Sequence, residues 1–298
     1  MAESDAEKVK RLTIIALVSD DDLMNLLVLK GGNAIQYFDG MTKPVRRSLD
    51  LDFSLDGELG PIEKARDKLK TLLERTFGEE GLVVLDVELE DAPALKGQDE
   101  LGDFWRGYKL TFKVITKDRA NRFAGNLNKQ REASVPIQPG GSHTFVVEFS
   151  AHEHCGGKVE RTLDGYRFYA YSETMLVCEK VRAICQQMAE YRVMVKSQQR
   201  PRARDFFDIH SVVTLCGVDL GSDEVWVQLK AMFKAKRVPL NLLGRISDER
   251  EFHRENFSSV QATVATTAAV KDFDFYVDFL VKGIEPLKAC WEMESPVG

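Results

Sequence analysis

The sequence predicts an α+β protein, in which a domain of strands and helices over residues 1–170 is followed by a mainly helical domain over residues 171–298. Two observations lead to this prediction. Short segments typical of strands recur up to residue 149, whereas from Glu173 onward the apolar residues follow the 3.6-residue spacing of helices. A chain of 298 residues is long enough for two domains, each with a core of its own.

The first domain is expected to alternate helices and strands. Helical spacing predicts a helix over residues 5–27 and another over residues 61–76, which Pro61 would begin. The Gly31-Gly32 pair predicts a turn from a strand at 27–30 into a helix that begins at Asn33. Further strands are expected at residues 49–55, 82–89, 108–115 and 144–149. Residues 118–141 contain scattered Asn, Gly, Pro and Arg, which predicts a long surface connection.

The charge of the chain limits how it can bind nucleic acid. Its net charge is −6, so it lacks the overall positive charge of a protein that binds duplex DNA. Positive residues are concentrated locally, first at Lys43, Arg46 and Arg47. A second group comprises Lys180, Arg182, Arg192, Lys196, Arg200 and Arg202. We expect any contact with phosphate to involve these two groups.

The N-terminal segment and the cysteines indicate a cytoplasmic protein without a membrane partner. The N-terminal residues lack the apolar run of a signal peptide or a transmembrane helix. The five cysteines are an odd number without a close C-x-x-C pair, which favours a reducing compartment.

Two neighbouring segments carry the strongest chemical signal: L-K-G-G-N-A-I at residues 29–35 and D-L-D-F-S at residues 50–54. Glycines let the backbone approach phosphate groups, and the amides at a helix start favour negative oxygens. In a strand, Asp50 and Asp52 lie on one face, where they can share divalent cations that bridge phosphates. The alternative is a simple tight turn followed by the solvated face of an amphipathic strand.

Taken in order, these motifs resemble the first motif of the AbiEii/AbiGii toxin family of nucleotidyltransferases. The resemblance extends over L-K-G-G-N-A and R-R-S-L-D-L-D-F-S, and then over Tyr171-Ser172, E-K-V-R-A at residues 179–183 and R-D-F-F-D at residues 204–208. The similar segments span residues 28 to about 210.

The resemblance implies a polymerase-beta-like nucleotidyltransferase core with a mixed sheet, followed by the helical C-terminal domain. It also implies a nucleoside triphosphate substrate, two Mg²⁺ ions, and a cognate antitoxin in a bacterial toxin–antitoxin or phage-defence pair. The implied acceptor is RNA, because the acceptor of the related MenT-type toxins is the tRNA 3′ end.

The resemblance assigns roles to individual residues. Asp50 and Asp52 correspond to the metal-binding carboxylates, Lys180 to the motif lysine and Asp205 to the motif aspartate. The residues implied to bind the nucleotide are Lys30, Gly31, Gly32, Asn33, Arg46, Ser48 and Lys180. The chain departs from the family pattern in three places: Asn33 replaces a Thr or Ser, Arg47 replaces an aromatic residue, and the loop at residues 39–44 is slightly long.

Glu148 is the candidate for a third catalytic carboxylate, which would take the proton of the attacking hydroxyl or share a metal. Its strand follows the Asp50–Asp52 strand along the chain, and the alternative is an exposed strand residue. Glu88 is a weaker candidate for this third carboxylate.

Lys180 and Asp208 of the later motifs each allow two interpretations, and Asp205 allows one. Lys180 would neutralise charge on the triphosphate during transfer, or it would lie on an exposed helix face in a weak ion pair with Glu179. Asp205 could orient Lys180, whereas Asp208 could touch substrate or pair with Arg204.

Two further patterns favour ordinary structural roles. His152, Glu153, His154 and Cys155 include zinc-binding residue types, but such crowded side chains cannot all point at one ion. Phe206 and Phe207 could stack on a base, although aromatic residues beside an apolar helix stripe are more often core.

Three functions remain open on the sequence alone. The leading one is nucleotidyl transfer to RNA. The others are transfer to a protein hydroxyl and a non-catalytic module that senses nucleotides or binds an antitoxin.

Overall fold

The computed structural model describes residues 4–38, 50–92, 104–137, 140–195, 198–264 and 270–294. The contacts between residues divide the chain into two compact units. Unit 1 comprises the described residues of Met1–Lys30, Leu49–Cys155 and Val159–Ala170. Unit 2 comprises those of Gly31–Ser48, Gly156–Lys158 and Tyr171–Gly298. Each unit is therefore built from several separate segments of the chain.

Unit 1 contains a seven-stranded mixed sheet. Its strands are β1 (Leu27–Lys30), β2 (Leu51–Leu55), β3 (Leu82–Asp91), β4 (Gly107–Thr116), β5 (Phe145–Ser150), β6 (Val159–Leu163) and β7 (Tyr166–Ala170). The strand order is β3-β4-β5-β2-β1-β7-β6. The pairs β1–β7 and β2–β5 are parallel, and the other neighbours are antiparallel. The predicted α+β class with a mixed sheet is confirmed, whereas the β6–β7 hairpin was not predicted.

The described residues form fourteen α-helices and three 3₁₀-helices. The α-helices are α1 (Asp5–Val18), α2 (Asp21–Leu26), α3 (Gly31–Ala34), α4 (Ile62–Glu79), α5 (Lys117–Arg122), α6 (Leu127–Glu132), α7 (Glu173–Cys185), α8 (Ala189–Val195), α9 (Ala203–Cys216), α10 (Asp223–Ala235), α11 (Arg250–Arg254), α12 (Ser258–Gln261), α13 (Phe273–Ile284) and α14 (Lys288–Glu294). The 3₁₀-helices are Ile35–Tyr37, Leu240–Glu249 and Glu285–Leu287.

The helices of unit 1 differ from the sequence prediction in two places. The helix predicted over residues 5–27 is two helices, because the Asp20 carboxylate accepts a hydrogen bond from the Leu23 amide and starts α2. The surface connection predicted over residues 118–141 contains α5 and α6. These helices have six residues each and bury at most Ala120, so they lack the apolar period that reveals a helix.

Aromatic packing on one face of the sheet fixes the strand register in unit 1. Phe53 of β2 and Phe149 of β5 are paired in register, and their rings stack with centroids 6.0 Å apart. Phe112 of β4 packs edge-on against Phe77 of α4 at 6.0 Å. All four rings are almost completely buried. A shift of one residue would turn the aromatic side chains to solvent, so this packing determines which residues occupy the opposite face.

Unit 2 is built around α7, which is buried on all sides and not only along one stripe. Eleven of its 13 residues are buried, and it packs against α9 and α10. The Ser172 hydroxyl caps its start by accepting a hydrogen bond from the Met175 amide at 3.2 Å. Phe206 and Phe207 of α9 are buried against Phe273 and Tyr276 of α13, which confirms that they are core residues.

The described helices include none that is both long and apolar enough to span a membrane. All five cysteines are free thiols. Burial raises the pKa of the Cys178 and Cys185 thiols, so neither is a reactive thiolate.

His253 of α11 is a fully buried titratable group in the core of unit 2. Its ring packs against Phe206 with centroids 5.3 Å apart, and its Nδ1 accepts a hydrogen bond from the Arg202 amide at 3.0 Å. Burial lowers the pKa of His253 from 6.5 to about 4, while the charge of Asp205 opposes this shift and that of Arg202 adds to it. Neutral His253 is therefore the form that the folded protein favours.

The protein should become less stable between pH 7.5 and pH 5 because His253 titrates mainly in the unfolded chain. Because the pKa of His253 is lower in the folded protein, the free energy of unfolding is unaffected by this residue above pH 6.5. It falls as the pH decreases from 6.5 towards 4, where only the unfolded chain binds the proton. At pH 5 this costs about 2 kcal/mol of unfolding free energy. His253→Asn keeps an acceptor for the Arg202 amide without the titration, so urea denaturation at both pH values should show a pH effect smaller by about that amount. An unchanged pH effect in the variant would exclude His253 as the source.

Candidate active site

A row of charged residues crosses the face of the sheet opposite the buried aromatic rings. Cross-strand pairing aligns Glu90 of β3, Lys109 of β4, Glu148 of β5, Asp52 of β2 and Lys30 of β1. Asp52 and Glu148 stand side by side at its centre on the parallel strands β2 and β5, about 4.8 Å apart along the sheet. This is the one point of the row where two like charges are neighbours.

Asp50 is a third carboxylate close to this row in sequence. It lies immediately before β2 and is exposed, whereas Asp52 is half-buried. Leu51 and Phe53, which alternate with them, are buried on the other face. The alternation predicted for residues 49–55 therefore holds over residues 50–53, whereas Ser54 and Leu55 are both buried and Leu49 lies outside the described residues. Glu148 is exposed and lies on the strand adjacent to β2.

The geometry distinguishes Glu148 from Glu88, the weaker substitute. Glu88 lies on the same face but on β3, which β4 and β5 separate from β2. Three strand spacings of about 4.8 Å place it roughly 14 Å from β2. Such a distance is too large for Glu88 to share a metal ion or a proton with Asp50 and Asp52.

Both lysines of the row contact acidic side chains. The Lys109 ammonium lies 3.2 Å from Glu90 Oε1. The buried Lys30 ammonium donates to Ser150 Oγ at 3.0 Å and to Glu153 Oε1 at 3.3 Å. Sequence reasoning missed Glu153 because it considered this residue only as part of a zinc pattern.

The glycine segment has a shorter helix than predicted. Gly31 has a φ of 68° and begins α3, which lasts only to Ala34 before the 3₁₀ turn Ile35–Tyr37. The helix predicted from Asn33 is thus a single turn, since β1 runs directly into it. Asn33 is buried. Lys43, Arg46, Arg47 and Ser48 lie outside the described residues.

In unit 2, Lys180 belongs to a buried ion cluster. Its ammonium lies 3.0 Å from Asp205 Oδ1 and 2.8 Å from Asp208 Oδ2, and the Lys180 side chain is 4% exposed. The two aspartates are three residues apart on α9, which puts them on one face of the helix. Asp205 therefore contacts Lys180 directly.

The structure overturns two of the sequence alternatives for these residues. Lys180 does not lie on an exposed face beside Glu179, because it is buried and Glu179 pairs with Arg182 at 3.2 Å. Asp208 is also buried and bonds to Lys180, whereas the Arg204 side chain donates to Ser259 Oγ. The interpretation of Asp208 as a partner of Arg204 is therefore wrong.

The carboxylates of unit 1 suit a cation whose remaining ligands come from the substrate. No group of three or more His, Cys, Asp or Glu among the described residues is arranged to hold a metal ion by itself. This finding also argues against a zinc site at His152–Cys155, where Glu153 is paired with Lys30. Mg²⁺, however, binds through one or two carboxylates, water and substrate phosphates, so the donor set of Asp50 and Asp52 fits it.

Comparisons with known proteins identify the family. A family model described as nucleotidyl transferase AbiEii toxin, type IV TA system, matches residues 15–279. Among solved structures, the chain is similar to an antigenic nucleotidyltransferase-like protein from Paracoccidioides brasiliensis, with 17% identity, coverage of 80% of this chain and 92% of that chain, and a TM-score of 0.33. It is also similar to the nucleotidyltransferase toxin MenT4 from Mycobacterium tuberculosis H37Rv, with 14% identity, coverage of 98% and 88%, and a TM-score of 0.49. Curated protein sequences give no significant match.

The assignment rests on the family model, since both structural likenesses have TM-scores under 0.5. The matched region contains the glycine segment, the carboxylates of β2 and β5, and the Lys180 cluster. The chain therefore belongs to the AbiEii family of type IV toxin–antitoxin systems and is a nucleotidyltransferase toxin.

Proposed function

We propose that this toxin transfers a nucleotidyl group from a nucleoside triphosphate to an RNA acceptor, the 3′ end of a tRNA. The observation that carries the proposal is the pairing of Asp52 with Glu148 in adjacent strands, with the exposed Asp50 two residues before Asp52. Two neighbouring carboxylates of this kind repel each other unless a cation or a proton lies between them. Their arrangement thus suits a metal-assisted displacement at phosphorus.

Asp50 and Asp52 would hold two Mg²⁺ ions together with the phosphates of the donor. Ions bound there would neutralise the negative charge of the phosphates during the displacement. Asp50 is exposed and so remains open to substrate, whereas the half-buried Asp52 is fixed by its two neighbouring strands.

Glu148 would act as the proton acceptor of the reaction. The terminal ribose hydroxyl of the acceptor attacks the α-phosphorus of the triphosphate, the bond from that phosphorus to the bridging oxygen breaks, and pyrophosphate leaves. The hydroxyl proton passes to the Glu148 carboxylate. Glu148 suits this role because it is exposed and is the cross-strand neighbour of Asp52.

The remaining roles rest on the family resemblance. Lys180 would counter the negative charge of the triphosphate, and Asp205 would orient it through their 3.0 Å contact. The residues proposed to bind the nucleotide are Lys30, Gly31, Gly32, Asn33, Arg46, Ser48 and Lys180. A cognate antitoxin is the expected protein partner, and the cytoplasm is the proposed location.

Incubation with each α-labelled nucleoside triphosphate, Mg²⁺ and total cellular RNA or protein tests both donor and acceptor. Label should enter the tRNA fraction from one preferred nucleotide, and excess EDTA should abolish the transfer because the carboxylates need divalent cations. Label in protein but not in RNA would replace the proposed acceptor by a protein hydroxyl. Absence of label in both fractions would contradict the proposal.

Asp52→Asn should reduce single-turnover transfer by roughly a hundredfold or more, because the isosteric amide cannot ligate Mg²⁺ as a carboxylate does. Glu88→Gln is the matched control, since it also neutralises an exposed carboxylate of the same sheet face, three strands away. The control should transfer within about twofold of the parent and both variants should melt like it. Equal rates for Asp52→Asn and the control would remove Asp52 from the site.

Lys180→Met should lower both stability and transfer, because it leaves Asp205 and Asp208 without their buried cation. Loss of one member of a buried ion cluster costs about 3–5 kcal/mol of unfolding free energy. Adding Asp208→Asn removes the excess buried charge and should restore most of that stability, with Asp208→Asn alone as the control. Transfer by the double variant should still be reduced roughly a hundredfold.

Urea denaturation and single-turnover rates of these three variants separate the two effects of Lys180. A double variant that is as stable as the parent and transfers at the parental rate would show that Lys180 acts only in the fold.

A further inference from the structure

Three arginines in unit 2 lie close together, and among the described residues only Arg202 has a carboxylate within 4.0 Å. Arg192 is on α8, while Arg200 and Arg202 are in the segment that leads into α9; we call them the arginine cluster. They are near enough for the positive charges of Arg200 and Arg202 to act on the Arg192 guanidinium. Lys196, which the sequence places in the same basic group, lies outside the described residues.

The backbone that carries Arg200 and Arg202 is held by buried side chains. Gln187 Oε1 accepts a hydrogen bond from the Arg200 amide at 2.9 Å, and His253 Nδ1 accepts from the Arg202 amide at 3.0 Å. Asn256 accepts from the Ala203 amide and donates to the Pro201 carbonyl. Gln187 and His253 are both buried. The positions of these arginines are therefore preorganised by the fold.

Several guanidinium atoms of the cluster are buried without a hydrogen-bond acceptor. Within the described part of the chain, Nε and Nη2 of Arg192 and Nε of Arg202 have no partner. The acid nearest to Arg202 is Asp205, at 3.8 Å, and its other oxygen bonds to Lys180. Burial and, secondarily, the neighbouring charges of Arg200 and Arg202 lower the pKa of Arg192. An unsatisfied buried donor costs about 1–3 kcal/mol, so the cluster is destabilising in isolation.

Two other arginines of the same unit, Arg250 and Arg254, are fully paired with carboxylates. Arg250 bonds to Asp274 and Asp278, and Arg254 bonds to Glu251 and Asp274. These guanidinium groups have carboxylates within 3.1 Å. In the arginine cluster, by contrast, the described residues give a carboxylate contact only to Arg202, and it is longer, at 3.8 Å.

We propose that the arginine cluster binds a backbone phosphate of the acceptor RNA. A guanidinium presents planar pairs of N–H donors that match phosphate oxygens, and Arg192 has two such donors without acceptors. The inference rests on the proposed function, because it concerns the acceptor of that reaction.

The surroundings of the cluster favour an RNA chain over a free nucleotide. Arg200 is exposed, and the next residues of α8 after Arg192 are the exposed Val193 and Met194, which are 79% and 40% exposed. Proteins hold small ligands in concave sites, whereas an extended polyanion can track an open surface. With a net charge of −6, the protein needs such a local positive site to retain RNA.

The test uses the full chain with Asp52→Asn, so that bound RNA is not modified, and adds Arg192→Gln together with Arg200→Gln. The dissociation constant for fluorescently labelled bulk tRNA should rise about tenfold, and the slope of log Kd against log salt concentration should fall by about 1. The affinity for each free nucleoside triphosphate should stay unchanged.

Arg245→Gln is the matched control, because it removes one positive charge from an arginine of unit 2 that pairs with Glu190 and Asp248. Melting curves verify that all variants fold. The inference is overturned if the double variant binds tRNA like the parent, if Arg245→Gln weakens tRNA binding as much, or if the affinity for triphosphate falls. If only this inference is wrong, the wild-type protein still transfers nucleotide to tRNA. If the proposed function is wrong, the wild-type protein shows no such transfer.

Discussion

The adjacency of Asp52 and Glu148 in parallel strands is the constraint on which the rest of the site depends. Two neighbouring carboxylates of like charge repel each other. The fold keeps them together because Phe53 and Phe149, the next residues in the same two strands, stack on the buried side of the sheet. A register shift that separated the carboxylates would also expose both rings. The hydrophobic core thus determines which two carboxylates become cross-strand neighbours.

Local periodicity predicted the elements that carry the carboxylates but not their pairing. The alternation around Asp50 and Asp52 is visible in five residues, and the apolar spacing of α4 is equally local. In contrast, the neighbour of β2 that carries Glu148 is β5, which is distant in sequence. The pairing of Asp52 with Glu148 therefore follows only from the sheet order. For the same reason the contact of Glu153 with Lys30 had no signal in the sequence. The short polar helices α5 and α6 had none either.

Unit 2 contains two ways of burying positive charge. Lys180 lies inside the core because Asp205 and Asp208 meet it from one helix face, and a buried cation is tolerated when its geometry is satisfied in this way. From the sequence alone, the charge of Lys180 suggested an exposed helix face, since the balancing acids follow 25 and 28 residues later. The arginine cluster shows the opposite case, in which buried donors remain without acceptors. The first arrangement stabilises the fold, and the second is suited to an external anion.

The position of β1 in the sheet affects how the protein is synthesised. This strand emerges early from the ribosome but pairs on one side with β7, which ends about 140 residues later at Ala170. At about 5–20 residues per second, the wait is roughly 7 to 30 s. During this time the apolar strand has an open edge, which favours protection by chaperones. Since β5 also precedes β7, both carboxylate strands emerge before β1 gains its second neighbour, so the last pairing of this part of the sheet joins segments made far apart in time.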